Sequence, residues 1–527
     1  MYSQGLIIKD WRNIDLSFGL IFPNTYKIGS SSYTIRFLYF LLNSRNNIAC
    51  ERFFVPEKIK YPASKDFTPI NNLRSIESNR SPQEFDILGF SLHYENDFKN
   101  VLWFLEKSGI PIDAKDRREM KISKKKKFPC IIAGGVAATS NPLPLSNIFD
   151  AFFIGDCEPN VFRFLDSFIR TKREMASLED FLKEIRNIPG VYIPSFNNEV
   201  NRLVLRNLDD SPNPTFQLIS KSEDKVKIFE ENFFLEVNRG CPFKCKFCIS
   251  SFHNSPFRNR SYENIIRTIE DATNLSNIKK ISLIGSCVSS HPKFNEICEF
   301  IINKGIEFSI PSIRLDHITP KIIKTLEKAG IKTITIAPET GSDSLRENLG
   351  KKFSNEKIIQ ILTLIRDSKI KNIKFYFILG LPGETEDEVD KLINLMKNVD
   401  ELGFLKGALK VNINPFIPKL NTPYEHEVYY YLSKNKKNLI SRFMKVKKQL
   451  MTISSIDLKF KDPKDIVNKA KLQTLLSLGD DSVSKILFKY YQNGANMGAL
   501  RRAEKELNWN IDDYLIKILS GYKPWHF

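Results

Sequence analysis

Cysteine, long apolar runs and acidic charge are all scarce in this chain. Eight cysteines among 527 residues are too few for a disulfide scaffold, which excludes the small secreted class. No apolar run reaches bilayer length. The most apolar early stretch, residues 37–42, follows Arg36 directly. The amino terminus lacks a basic start, a long apolar core and a small-residue cleavage site, so it does not read as a signal peptide. A cytoplasmic location without membrane contact is expected, where clustered cysteines are more often metal ligands than disulfides. Asp and Glu number 61 against 79 Lys and Arg, a formal charge of +18. That excess permits an anionic partner, but a Lys-rich solvated surface explains it as well. Hydrophobic residues at 42% and charged residues at 27% exclude a largely disordered chain. The length suits two to four domains.

Residues 1–205 read as a first unit. Short apolar strands are expected at 6–8, 20–22, 86–91, 129–133 and 150–155, with helices at 33–42, 98–108 and 158–168. Alternation of this kind implies a parallel sheet with helices on both faces. Ligands of such sheets sit beyond the carboxyl ends of the strands. There Gly134-Gly135 would admit a ligand close to the backbone, although a plain tight turn also explains the pair. His93 follows a strand end and could face a ligand. The lysine-rich run 121–127 reads as a solvated loop, or as a point-charge phosphate site without geometric specificity.

A polar stretch with Pro212 and Pro214 marks a linker over 206–230. The second unit, 231–425, opens on a strand at 233–237 that runs into Cys241, Cys245 and Cys248. Cys-x3-Cys-x2-Cys on a tight loop can ligate three irons of a cubane cluster and leave the fourth open to a substrate group. The alternative is a structural zinc site completed by His253. Strands at 280–284, 307–310, 332–337, 373–379 and 408–413 alternate with helices at 262–275, 292–303, 320–329, 355–367 and 384–399. Six strands in this pattern suit a parallel partial barrel with its active site at the carboxyl ends.

These residues together resemble the radical SAM superfamily over most of 233–425. The fold implied is α/β: an N-terminal Rossmann-like parallel sheet, a (βα)6 partial TIM barrel and a helical C-terminal region. The resemblance implies a [4Fe-4S] cluster on Cys241, Cys245 and Cys248, with S-adenosylmethionine (SAM) beside it. The stretch 336–342 resembles the strand-four motif, whose glutamate, here Glu339, lies near the SAM ribose and amino group. Residues 377–385, with Gly380 and Gly383, resemble the strand-five motif near the adenine. The Gly-Gly-Glu motif of strand two is replaced by Ile284-Gly285-Ser286-Cys287, leaving a backbone contact at Gly285. Arg314 is a candidate for the SAM carboxylate or an anionic substrate group, or else a surface ion pair with Asp316. Arg346 is a weaker candidate of the same kind, or else a helix-face cation. Cys287 reads as a substrate radical partner, a nearby thiol or a buried small hydrophobe.

The first unit resembles the cobalamin-binding-type domain that precedes many radical SAM cores. Gly134-Gly135, Asn141-Pro142 and Gly155-Asp156-Cys157-Glu158 follow that order. The family's Asp-x-His-x-x-Gly is replaced by Asn24-Thr25-Tyr26-Lys27-Ile28-Gly29, which removes the imidazole ligand to cobalt and leaves cobalamin open. Residues 414–419 with Thr422-Pro423 resemble the strand-six ending of the branch that includes methylthiotransferases. The implied activity is reductive cleavage of SAM to a 5′-deoxyadenosyl radical. An electron donor such as ferredoxin or flavodoxin would feed it, and an unknown substrate would be modified by methylation or methylthiolation. The rival readings are a zinc-bearing nucleic-acid-binding protein and a non-catalytic iron–sulfur protein.

The tail, 426–527, reads as mostly helical and is expected to close the open side of the barrel. A basic helix at 428–451 carries Lys434, Lys436, Lys437, Arg442, Lys445, Lys447 and Lys448. A weak strand follows at 453–460, then helices at 463–476, 482–492 and 496–507. No motif here is specific for nucleic acid, and a solvated basic face is the expectation.

Overall fold

In a computed structural model, residues 2–3, 6–62, 73–124, 128–215, 217 and 232–527 are described. The chain forms two compact units. One comprises Met1–Glu231, Leu476–Ile511 and Pro524–Phe527; the other comprises Asn232–Leu475 and Asp512–Lys523. Part of the expected linker and residues 125–127 of the lysine run lie outside the described residues. Lys121–Lys124 complete the helix Ala114–Lys124 rather than a loop.

The first unit is built on strands β1 (Leu16–Thr25), β2 (Ile48–Val55), β3 (Ile87–Ser91), β4 (Cys130–Gly134), β5 (Ala151–Phe153) and β6 (Val191–Tyr192). Their order is β2-β1-β3-β4-β5-β6, all parallel except the last pair. Leu16 to Phe22 are buried without interruption, the mark of a strand covered on both faces. Helices Tyr33–Asn43, Phe98–Lys107 and Val161–Arg173 alternate with the strands. The run expected at 20–22 is thus the centre of a ten-residue strand. Strand β2 was not anticipated because Glu51 and Arg52 interrupt its apolar pattern. Arg52 is buried against Glu77 at 2.7 Å and lies over the Tyr39 ring at 4.6 Å, so its charge is paired rather than solvated. Helices Ser482–Gln492 and Met497–Glu506 also belong here. Tyr491 donates to Glu106 at 2.9 Å and Ser484 to the Pro144 carbonyl at 2.8 Å. This part of the tail packs on the first unit.

The second unit carries β7 (Asn232–Glu236), β8 (Lys280–Ile284), β9 (Glu307–Ser309), β10 (Thr333–Glu339), β11 (Asn372–Leu379), β12 (Leu409–Pro415) and β13 (Ile456–Leu458). They form two parallel sheets, β9-β8-β7 and β10-β11-β12-β13. Beyond β9, Ile313 N–H donates to the Thr335 carbonyl of β10 at 3.0 Å. Helices Tyr262–Leu275, Phe294–Asn303, Pro320–Lys328, Asn355–Arg366 and Glu386–Asp400 separate the strands. Ser261, Thr319 and Ser354 cap three of them through their side-chain oxygens. On β11, Ile373, Phe375, Phe377 and Leu379 are buried and alternate with half-buried Lys374, Tyr376 and Ile378. One face thus meets the helices and the other lines the interior. The weak tail strand adds to this sheet as β13, paired in parallel with β12.

Candidate active site

The cysteine loop leaves β7 through Asn238-Arg239, which pair antiparallel with Arg258-Asn259. Gly240 has φ +76°, and a Cβ there would stand 2.3 Å from the Asn254 carbonyl oxygen. Only glycine allows this turn. Cys248 N–H donates to the Cys245 carbonyl and Lys246 N–H to the Leu349 carbonyl, both at 3.0 Å. These bonds hold the loop compact and pin it to the segment after β10. Cys245 is buried, which pushes its thiol pKa up, while Lys351 and Arg314 pull it down. Two cations therefore face a thiol group that would be anionic on a cluster. The Cys287 thiol and burial together push the Cys241 thiol pKa up. Cys241 draws the Cys287 thiol down in turn, against burial and with help from Ser290, 3.1 Å away, and from His317. Cys287 is buried at 4% exposure but makes polar contacts, so it is not merely a small hydrophobe.

The zinc alternative fares poorly. His253 engages the Leu420 carbonyl through Nε2 at 2.7 Å. Among the described residues no set of three or more His, Cys, Asp and Glu side chains converges on one ion.

A cavity of about 390 Å³ lies at the carboxyl ends of β10, β11 and β12. Phe247 of the cysteine loop forms one wall; Ser312, Ala337, Glu339, Tyr376, Ile378 and Asn414 are among the others. Glu339 has φ +67° and ends a register irregularity that begins at Ile336. A non-glycine residue held there stores about 1–3 kcal/mol of strain. Lys351 Nζ donates to Glu339 Oε1 at 2.6 Å and to the Ala337 carbonyl at 2.7 Å. The helix that follows is capped by Ser342, so Glu339 is not its cap.

Arg346 is fully buried, not a helix-face cation. It donates to the carbonyls of Pro338, Thr340 and Phe353 and to the side chains of Asp343 and Asn355. Sequence reasoning missed this clamp on the Glu339 turn. Arg314 makes the bidentate pair with Asp316, at 2.8 and 2.7 Å, and stacks on the Phe243 ring at 3.5 Å. Gly285 is a packing residue: a Cβ would lie 2.2 Å from Asn238 Oδ1. Gly380 and Gly383 have φ +82° and +78° and shape the turn after β11. Gly380 N–H donates to Glu384 at 2.8 Å, and Arg442 pairs with Glu384 at 3.0 Å. Part of the basic helix, Ser433–Leu450, is thus used internally: Arg442 is buried, and Lys445 pairs with Asp390 at 2.7 Å.

In the first unit, the loops after β1 and β3 flank the point where strand order reverses. Asn24 Nδ2 donates to Asp97 at 2.9 Å, and Tyr26 packs edge-on against Phe54 at 5.2 Å. Burial lifts Asp97 to about 6 and lowers His93 to about 4. His93 shares a hydrogen bond with Ser91 at 3.0 Å. Gly135, at φ +102°, leaves room for Leu92: a Cβ would lie 2.5 Å from the Leu92 carbonyl oxygen. Gly134 meets only ordinary contacts. Chain packing therefore accounts for Gly135. The loop after β1 offers no imidazole or carboxylate to a cobalt ion, so its residues do not fit the lower-ligand role.

Residues 235–396 match the model described as the radical SAM superfamily, and 34–194 match that of radical SAM proteins, N-terminal. An uncharacterised protein of Methanocaldococcus jannaschii is 26% identical over 95% of this chain and 96% of its own length. An uncharacterised methyltransferase of Pyrococcus horikoshii is 27% identical over 45% of this chain and 53% of its own. Shorter matches include tRNA methylthio synthases, of which the chain also spans about half. The solved structure of the cobalamin-dependent SAM radical enzyme OxsB covers 96% of this chain at TM-score 0.55 and 15% identity, with 83% of OxsB covered. Among the described residues no helix is long and apolar enough to cross a membrane.

Proposed function

Because this chain belongs to the radical SAM superfamily, we propose that Cys241, Cys245 and Cys248 hold its [4Fe-4S] cluster and that the cavity beside Phe247 holds SAM. One observation carries this reading: the cysteine loop and the strained Glu339 of β10 share a single cavity at the carboxyl ends of parallel strands. When bound, the cluster and SAM supply reductive cleavage to a 5′-deoxyadenosyl radical. The chain's own residues bind and orient. Glu339, fixed by Lys351 and by the Arg346 clamp, presents a carboxylate for the ribose hydroxyls or ammonium of SAM. Lys351 and Arg314 offset the negative charge of the thiolates. Phe247, Ile378 and Phe416 give the cavity an apolar wall that limits water around a reactive species. Methyl or methylthio transfer is the outcome favoured by the matched relatives, and a ferredoxin or flavodoxin is the class of donor required. The loop after β1 gives no support to a histidine-ligated corrin, and the reading does not pass through one.

Anaerobic reconstitution with iron and sulfide, then SAM and a strong reductant, tests the reading. Formation of 5′-deoxyadenosine is expected, and Cys245→Ala should abolish cluster absorbance. A colourless, sulfide-free protein, or iron content unchanged by Cys245→Ala, overturns it.

A further inference from the structure

The inward polar side chains of the second unit divide into two groups. On the first sheet they satisfy one another. Asn232 donates to Ser282 at 3.0 Å, and Ser282 shares a hydrogen bond with Ser309 at 2.8 Å. Glu236 pairs with Arg239 and Arg260. On the second sheet they do not. Strand alternation puts Lys374 and Tyr376 on the face of cavity-lining Ile378, and Lys410 and Asn412 on the face of cavity-lining Asn414. Register sets Lys374 opposite Lys410 and Tyr376 opposite Asn412. All four are half-buried. Among the described residues neither ammonium has an ion pair or a hydrogen-bond acceptor. Asp457 of β13 is opposite Lys410 in register, yet it forms no ion pair with it. Lys374 Nζ stands 5.0 Å from the Tyr376 ring, so the ammonium lies beside a side chain that lines the cavity.

Like charges directly opposite on neighbouring strands are destabilising, and an unpaired, partly desolvated ammonium adds to that cost. Beyond the Lys374 contact with the Tyr376 ring, the fold gains no ion pair from these two lysines. Two lysines opposite each other in register can make a point-charge site for an anion. We propose that the interior beside the cavity binds an anionic group of the substrate, a carboxylate or a phosphate ester, between Lys374 and Lys410, flanked by Tyr376 and Asn412. The proposal rests on the reading of the cavity as the SAM site and names the substrate class that would reach it.

Lysine acetylation of the full chain, read by mass spectrometry, tests this with inorganic pyrophosphate and citrate as probes and glycerol as the neutral control. Either anion should slow acetylation of Lys374 and Lys410 about tenfold and leave exposed Lys434 unaffected, with the protection weakening as salt rises. Stronger protection by pyrophosphate assigns a phosphate, and stronger protection by citrate a carboxylate. Lys374→Gln and Lys410→Gln should each weaken probe binding about tenfold without lowering the unfolding temperature. No protection by either anion, equal binding by the variants, or a lower unfolding temperature overturns the proposal. The superfamily reading fails separately, in the absence of iron and sulfide uptake by the wild-type chain.

Discussion

Each unit presents a carboxyl edge of parallel strands, and the two edges are filled differently. At the first, Asn24 is bonded to Asp97, Tyr26 packs on Phe54, and Gly135 makes room for the Leu92 backbone. At the second, Glu339 is held at φ +67° beside a cavity of about 390 Å³. Parallel strands place a ligand edge by rule. Whether the edge is used depends on what its loops bury. A strained, paired carboxylate that lines a cavity signals use more strongly than Gly135, whose freedom the backbone already requires.

The largest effect should come from Arg346→Ala. Removing a fully buried guanidinium would leave the Pro338, Thr340 and Phe353 carbonyls without that donor, lowering stability by about 3–5 kcal/mol in denaturant unfolding. SAM affinity should fall with it, because the Glu339 turn loses its clamp. A loss below about 1 kcal/mol would mean that the second edge is not held under strain.

Glu384, at the turn after β11, gives a pH-dependent test. Burial takes it from 4.5 up to about 7, against the pull of Gly380 and Arg442. The folded state therefore binds a proton more tightly than the unfolded state. The stabilisation is fully present below about 4.5 and is lost as pH rises through about 7. At most about 3 kcal/mol is involved. Glu384→Gln should flatten the stability profile across this window, read by thermal unfolding at stepped pH.

The smallest effect should come from rebuilding the family motif at the first edge, with Asn24→Asp and Tyr26→His together. If packing closes that edge, cobalamin affinity measured by absorbance titration should change less than about threefold, under 1 kcal/mol. A rise of about a hundredfold would show that the edge is open and that the two edges differ only in their ligating side chains.

Much of the second unit was legible because its signals are local. The helix at 262–275 is found at the expected bounds, with Ser261 as its cap, and the other core strands and helices differ only by a few terminal residues. The cysteine spacing, the strand-four stretch around Glu339 and the glycines after strand five are all readable from residue type and order. The rest depended on partners far along the chain. Arg52 looked like an interruption because Glu77, which neutralises it, is 25 residues away. The helices at 482–492 and 496–507 were found in place, but not the surface they pack on. Cys287 looked solitary until the turn after β8 brought it to Cys241.

The sequence alone determined the alternating parallel folds, the thiol set and the superfamily, because spacing along a strand or loop is set by covalent geometry. Only the tertiary structure decided which charged groups are free. Arg314, Arg346 and Arg442 are each engaged by the chain, whereas among the described residues Lys374 and Lys410 have no ion pair on their inward face. That distinction rests on electrostatic pairing across sheet register and loop packing, which no local run of residues encodes.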